Sequence, residues 1–151
     1  MKCILKSTNV NFLRQEWCRL LDRYKWTYFV TLTFKDIPQT FTAQNRAKRF
    51  LTYVEETVKR KIAYYICMEF SRAGTPHFHA LLGSLEWTRY SEWSKWWFTN
   101  YGYARFKVYD PKKGATHYLT KYVVKCNYQS GWYDIQGLQY MDQSAFDTKN
   151  K

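Results

Sequence analysis

A chain of 151 residues, 46% of them hydrophobic, has the size of one domain with a substantial core, which argues against a multidomain arrangement. Twenty-four Lys and Arg against twelve Asp and Glu give a formal charge of +12, a balance that favours a polyanionic partner such as nucleic acid. No run of 18 apolar residues occurs, and the N-terminus lacks an apolar core with a small-residue cleavage site, so the expectation is a soluble, cytoplasmic protein with no membrane partner.

The elements read in chain order as follows. Residues 9–25 place Val10, Leu13, Trp17, Leu20, Leu21 and Tyr24 at helical spacing. "WTYFVTLTF", 26–34, is β-branched and aromatic throughout, a central strand that stops at the turn-forming "KDIPQT". Residues 42–61 form a helix with Thr42 as a candidate N-cap and Ala47, Phe50, Leu51, Val54 and Val58 in register. "IAYYICMEF" and "TPHFHALLG" are two strands of a hairpin, closed by "SRAGT" with Gly74 available for positive φ. A helix over 88–98, a strand over 103–110, and turn residues leading into a helix over 111–125 follow. Beyond about residue 130 the chain turns polar. Residues 1–130 are expected to be a single domain, and 131–151 a C-terminal polar extension that is partly disordered.

After the first helix the order is βαββαβα, which predicts an α+β fold: a central antiparallel sheet of about five strands with helices packed on one side. Cys3, Cys18, Cys67 and Cys126 are widely separated and form no CxxC, so reduced thiols are expected rather than a zinc ribbon or a disulfide scaffold. Aromatics make up 21% of the chain, about twice the ordinary share, and flat side chains interleaved with cations suit the stacking of unpaired bases.

His77 and His79 share one face of their strand because side chains alternate with period two. If the hairpin centres on Ala73, Glu69 stands directly opposite His77 and diagonal to His79. Two imidazole nitrogens and a carboxylate oxygen then converge, a donor set that suits Mn²⁺ or Mg²⁺ acting on a phosphate and that zinc also accepts. Two strand histidines alone are more often satisfied structural residues; the carboxylate opposite brings the metal reading level with that one.

"HYLTKYVVK", 117–125, is a second cluster. On a helix Tyr118 and Tyr122 share a face, and Lys121 and Lys125 each follow a tyrosine by three residues. A phenol with a pKa near 10 becomes a usable nucleophile beside an ammonium group and a polarised phosphodiester. Half-buried packing tyrosines are the competing reading for this helix. Arg46, Lys48 and Arg49 on the long helix, and Lys112 and Lys113 ahead of the tyrosine helix, are candidate DNA-backbone contacts or ordinary solvated cations. Trp93, Trp96 and Trp97 fit a core stripe better than a base-stacking platform.

"FVTLTF", "PHFHALL" and "YLTKYVVK", in this order and spacing, resemble the three motifs of the HUH endonucleases, in particular the rolling-circle replication initiators (Rep proteins) of small phages, viruses and plasmids. The resemblance spans roughly residues 26–126 and implies a Rep-type fold of ferredoxin-like or RRM-like topology. It implies that His77, His79 and Glu69 bind the divalent metal, that Tyr118 and Tyr122 are nucleophiles, and that Lys121 stabilises charge. The implied activity nicks single-stranded DNA at a replication origin through a 5′-phosphotyrosine and later rejoins the strand. No GxxxxGK[ST] loop occurs, so a host or separate helicase and polymerase are expected as partners, with the oligomeric state open and a homodimer among the options. Two other readings are a non-catalytic single-strand-binding module and an HUH-type single-strand transposase; "YLTKYVVK" argues against the latter.

Overall fold

The computed structural model describes residues 7–86, 88, 90–124 and 132–141. Its elements are α1 (Ser7–Asp22), β1 (Trp26–Phe34), α2 (Thr40–Val58), β2 (Ala63–Phe70), β3 (Pro76–Gly83), α3 (Tyr90–Asn100), β4 (Gly102–Val108), a 3-10 turn at Pro111–Lys113, α4 (Ala115–Val124), β5 (Tyr133–Gln136) and a second 3-10 turn at Leu138–Tyr140. The strands form one sheet in the order β4-β1-β3-β2-β5, every pairing antiparallel. The chain is therefore an α+β protein built on a five-stranded antiparallel sheet.

The β2–β3 hairpin has the register that the sequence predicts, with Glu69 opposite His77 and Cys67 opposite His79. Its loop closes through Ser71 N–H to the Thr75 carbonyl and Gly74 N–H to the Ser71 carbonyl, with Gly74 at φ 82°. The helix expected from Thr42 starts earlier, at Thr40 after Gln39, and Thr42 lies inside its first turn. Burial explains the shift, since Ala43 is fully buried and belongs to the helical stripe of Ala47, Phe50, Leu51 and Val54.

Helices cover both faces of the sheet, which corrects the one-sided arrangement. On one face Val30, Leu32, Ile66, Met68, Phe78 and Leu82 pack against Ala47, Phe50 and Val54 of α2 and Trp93 and Trp97 of α3. On the other, Leu21 of α1 and Leu119 of α4 meet Trp26, Ala63, Tyr65, Cys67 and Leu81. The reason is that β2 and β3 carry apolar residues at both parities, so each face of these inner strands needs cover. A register shift between Trp26 and Tyr28 turns Trp26 towards α1, where its Nε1–H donates to the Leu21 carbonyl at 2.8 Å. Trp93 and Trp97 are buried as the expected core stripe, and Trp96 stacks on Tyr53.

Within the stretch expected to be an extension, Tyr133–Gln136 pairs with β2 and completes the sheet, and Tyr64 donates to Asp134 at 3.0 Å. Gly137 ends this strand at φ 77°, where a Cβ would collide with the Ile62 carbonyl. Residues 142–151 of that stretch lie outside the described residues. Cys18 and Cys67 are free thiols, while Cys3 and Cys126 lie outside the described residues. Among the described residues no helix is long and apolar enough to cross a membrane.

Candidate active site

Odd-numbered residues of the inner strands face α4. Glu69, His77 and His79 thus rise from the middle of the sheet on the face that carries the tyrosine helix. Their side chains are 23%, 21% and 10% exposed, so the cluster sits in a shallow depression open to solvent. Nε2 of His77 and Nε2 of His79 each lie 3.0 Å from Oε2 of Glu69. The imidazoles stand perpendicular to each other, ring centres 5.0 Å apart.

β1 fixes the deeper histidine. Thr31 pairs with His79 across the ladder, and its Oγ1 lies 3.2 Å from Nδ1, which leaves Nε2 to face the cluster. Phe29 stacks on the same ring at 5.8 Å. The cluster fits a divalent cation: one carboxylate oxygen and two imidazole nitrogens lie within 4.8 Å of one another, with the supporting contact that ligating histidines need.

α4 delivers the phenol. Asp110 caps the preceding 3-10 turn by accepting from Lys112 N–H at 3.0 Å, and Gly114 at φ 67° redirects the chain into the helix. Thr116, Leu119 and Thr120 are buried between α1 and the sheet, and this docking turns Tyr118 towards β2. Its hydroxyl donates to Glu69 Oε2 at 3.0 Å, and its ring meets His79 edge-on at 5.5 Å. Tyr118 is 40% exposed, so its oxygen is reachable from solvent while resting on the cluster.

Lys121 and Tyr122 lie further along α4, and Lys125 lies outside the described residues. Lys112 and Lys113 are exposed in the turn just ahead of α4. Arg46 is on α2, which packs on the opposite face of the sheet; it pairs with Asp36 at 2.8 Å and lies over the Tyr101 and Phe34 rings. That guanidinium holds the Asp36 carboxyl below its ordinary value, mainly through the hydrogen bond. Lys48 and Arg49 are exposed on the same helix.

Residues missed by the sequence reading lie on β4. Tyr103, Arg105 and Lys107 are exposed and pair with Thr33, Thr31 and Phe29, so they extend the open half of the site face, while Ala104 and Phe106 pack into the opposite core. The alternation in "YARFKV" is the signal that could have found them.

A family model described as replication-associated protein ORF2 matches residues 27–127. No curated protein matches the chain. Among solved structures the chain is similar to the N-terminal nuclease domain of minute virus of mice non-structural protein-1, with 11% identity over 91% of this chain and 77% of that one, at a TM-score of 0.34. That domain is described as having a unique Zn²⁺ coordination in its active-site pocket and a novel mode of DNA recognition at the origin of replication.

Proposed function

Because the chain belongs to the family of replication-associated protein ORF2, we propose that it is a metal-dependent endonuclease that nicks single-stranded DNA at a replication origin and rejoins it through a tyrosine–phosphate link. The observation that carries this reading is the placement of the Tyr118 hydroxyl, 3.0 Å from the Glu69 oxygen on which both histidines also converge. His77, His79 and Glu69 hold the divalent cation, which when bound supplies Lewis-acid polarisation of the scissile phosphate.

The chain's own residues do the rest. Tyr118 attacks phosphorus in line; a bond forms between its phenolic oxygen and phosphorus as the bond to the 3′-oxygen breaks. The phenol gives up its proton towards Glu69 Oε2, the acceptor it already contacts, and the departing 3′-oxygen gains one. The products are a 5′-phosphotyrosine and a free 3′-hydroxyl for a separately supplied polymerase. Attack of that hydroxyl on the phosphotyrosine reverses the step and reseals the strand. Tyr122, one helical turn along, serves as a second nucleophile, and Lys121 and Lys125 offset negative charge at the reacting phosphate.

The DNA backbone follows the open half of the sheet. Arg105 and Lys107 on β4, with Lys112 and Lys113 ahead of α4, supply phosphate contacts next to Tyr118, and Tyr103 offers an exposed ring to a base. Lys48 and Arg49 provide non-specific contacts on the far face, whereas Arg46 is committed to Asp36. Unwinding falls to a separate helicase.

The test is to incubate the protein with a library of fluorescent single-stranded DNA and Mn²⁺ or Mg²⁺, then look on a denaturing gel for protein carrying label. A covalent adduct that EDTA abolishes is expected. Binding without any adduct, across the library and with both metals, would leave a non-catalytic single-strand-binding module instead.

A further inference from the structure

The backbone carbonyls on either side of Tyr118 are each held by a side chain from another element. Tyr65 of β2 donates its hydroxyl to the Leu119 carbonyl at 3.0 Å. Arg14 of α1 reaches the His117 carbonyl twice, with Nε at 3.1 Å and Nη2 at 2.6 Å. The same face of α1 adds two more contacts. Cys18 Sγ lies 3.2 Å from Thr120 Oγ1, and Thr116 donates its hydroxyl to Asp22 at 2.7 Å. Arg14, Cys18 and Asp22 follow one another at four-residue intervals, so they form a polar stripe along α1 that meets residues 116, 117 and 120 of α4.

Apolar docking alone does not require such a stripe, because Leu21 and Leu119 already bury the contact between these helices and the sheet. What the stripe adds is direction. A helix of ten residues is too short to be stable by itself, so its orientation follows from what it is fastened to. A guanidinium gripping one carbonyl with two N–H groups resists both rotation and sliding of that peptide. The element that supplies this grip, residues 7–22, precedes the stretch 27–127 matched by the family model.

We propose that Arg14 is a positioning residue: its fork on the His117 carbonyl sets α4 so that the Tyr118 oxygen stays over Glu69. The proposal rests on the reading of Tyr118 as nucleophile. Arg14 acts through the peptide that precedes the tyrosine, and its fork is spent on that carbonyl.

The experiment compares full-length wild type, Arg14→Ala, Arg14→Lys and Thr116→Val, after thermal melts have verified that each is folded. Three quantities are read: the single-turnover rate of adduct formation, the concentration of single-stranded DNA giving half-saturation, and hydrogen exchange of the α4 amides. Arg14→Ala is expected to slow adduct formation by roughly 10- to 100-fold, the scale of a misplacement near 1 Å, with half-saturation unchanged. The α4 amides are expected to exchange faster in the same variant. Arg14→Lys recovers part of the rate, since a single ammonium cannot fork, and Thr116→Val loosens the same amides by a separate route. An unchanged rate with unchanged exchange overturns the proposal, as does weaker DNA binding that accounts for the whole loss. If wild type forms no adduct, the nuclease reading fails on its own, and unchanged exchange in Arg14→Ala still refutes the grip.

Discussion

The Tyr118 hydroxyl donates to Oε2 of Glu69 at 3.0 Å, although the two residues are 49 positions apart and belong to a surface helix and an inner strand. That oxygen is also the one both imidazoles face at 3.0 Å. Nucleophile and metal ligands therefore share a single atom as their meeting point, and each can be removed without the other.

Tyr118→Phe deletes the phenolic oxygen and nothing else. The ring stays against His79 at an exposed position, so the fold should lose no more than about 1.5 kcal/mol, the value of one hydrogen bond. Covalent labelling by single-stranded DNA is expected to disappear or to fall back on Tyr122, and the double variant Tyr118→Phe with Tyr122→Phe removes it altogether. Mass spectrometry of the adduct peptide assigns the linkage, and label retained by the double variant would refute tyrosine chemistry here.

Removing a ligand should abolish stabilisation by metal while leaving the apo protein folded. Any ion that binds only the native state at 100 times its dissociation constant raises stability by about 2.7 kcal/mol. Mn²⁺ is thus expected to raise the melting temperature of wild type and to do nothing for Glu69→Ala or His79→Ala. Calorimetric titration checks the same point directly. A variant that still responds fully to Mn²⁺ would place the ion elsewhere.

Thr31→Val keeps the volume and removes the hydroxyl beside His79 Nδ1. Freed from that partner, the imidazole is no longer fixed with Nε2 towards Glu69. A loss of about 10-fold in Mn²⁺ affinity is expected, at the lower end for a residue that supports a metal-binding histidine. Equal affinities in wild type and variant would mean that Phe29 and the backbone suffice to orient the ring.

Alkaline pH should destabilise the fold through its buried phenols. Burial raises Tyr65 and Tyr64 well above the ordinary value of 10.0, with the Asp134 carboxylate adding to Tyr64, and burial, with Asp22 next in weight, pushes Tyr109 up to about 12. In the unfolded chain all three ionise near 10. Their folded values are raised, so the stability they contribute is complete below pH 10 and declines as pH climbs towards and past 12. Melts across this range, with ultraviolet titration of tyrosinate, test it. Full ionisation near pH 10 in a protein that stays folded would contradict the burial argument.

The sequence by itself determined what depends on short-range spacing. Period two in "PHFHALL" puts His77 and His79 on one face, the five-residue loop sets Glu69 opposite His77, and helical spacing buries Trp93 and Trp97. The β-branched run 26–34 is a strand over that full range, for the same local reason. Tertiary structure decided everything that depends on which surfaces meet. β5 has only four residues and too little pattern of its own; it exists because the edge of β2 offers it a ladder. Arg46 looked like a DNA contact until the loop ahead of α2 brought Asp36 to it. Arg14 looked like any solvated cation, and only the packing of α1 on α4 gives it the His117 carbonyl. The face of the sheet that α4 covers, and hence the meeting of Tyr118 with Glu69, follows from burying Leu119 and Leu21 beside Tyr65 and Leu81. Periodicity is written into consecutive residues, whereas the choice of partner surface is a balance of burial over the whole chain.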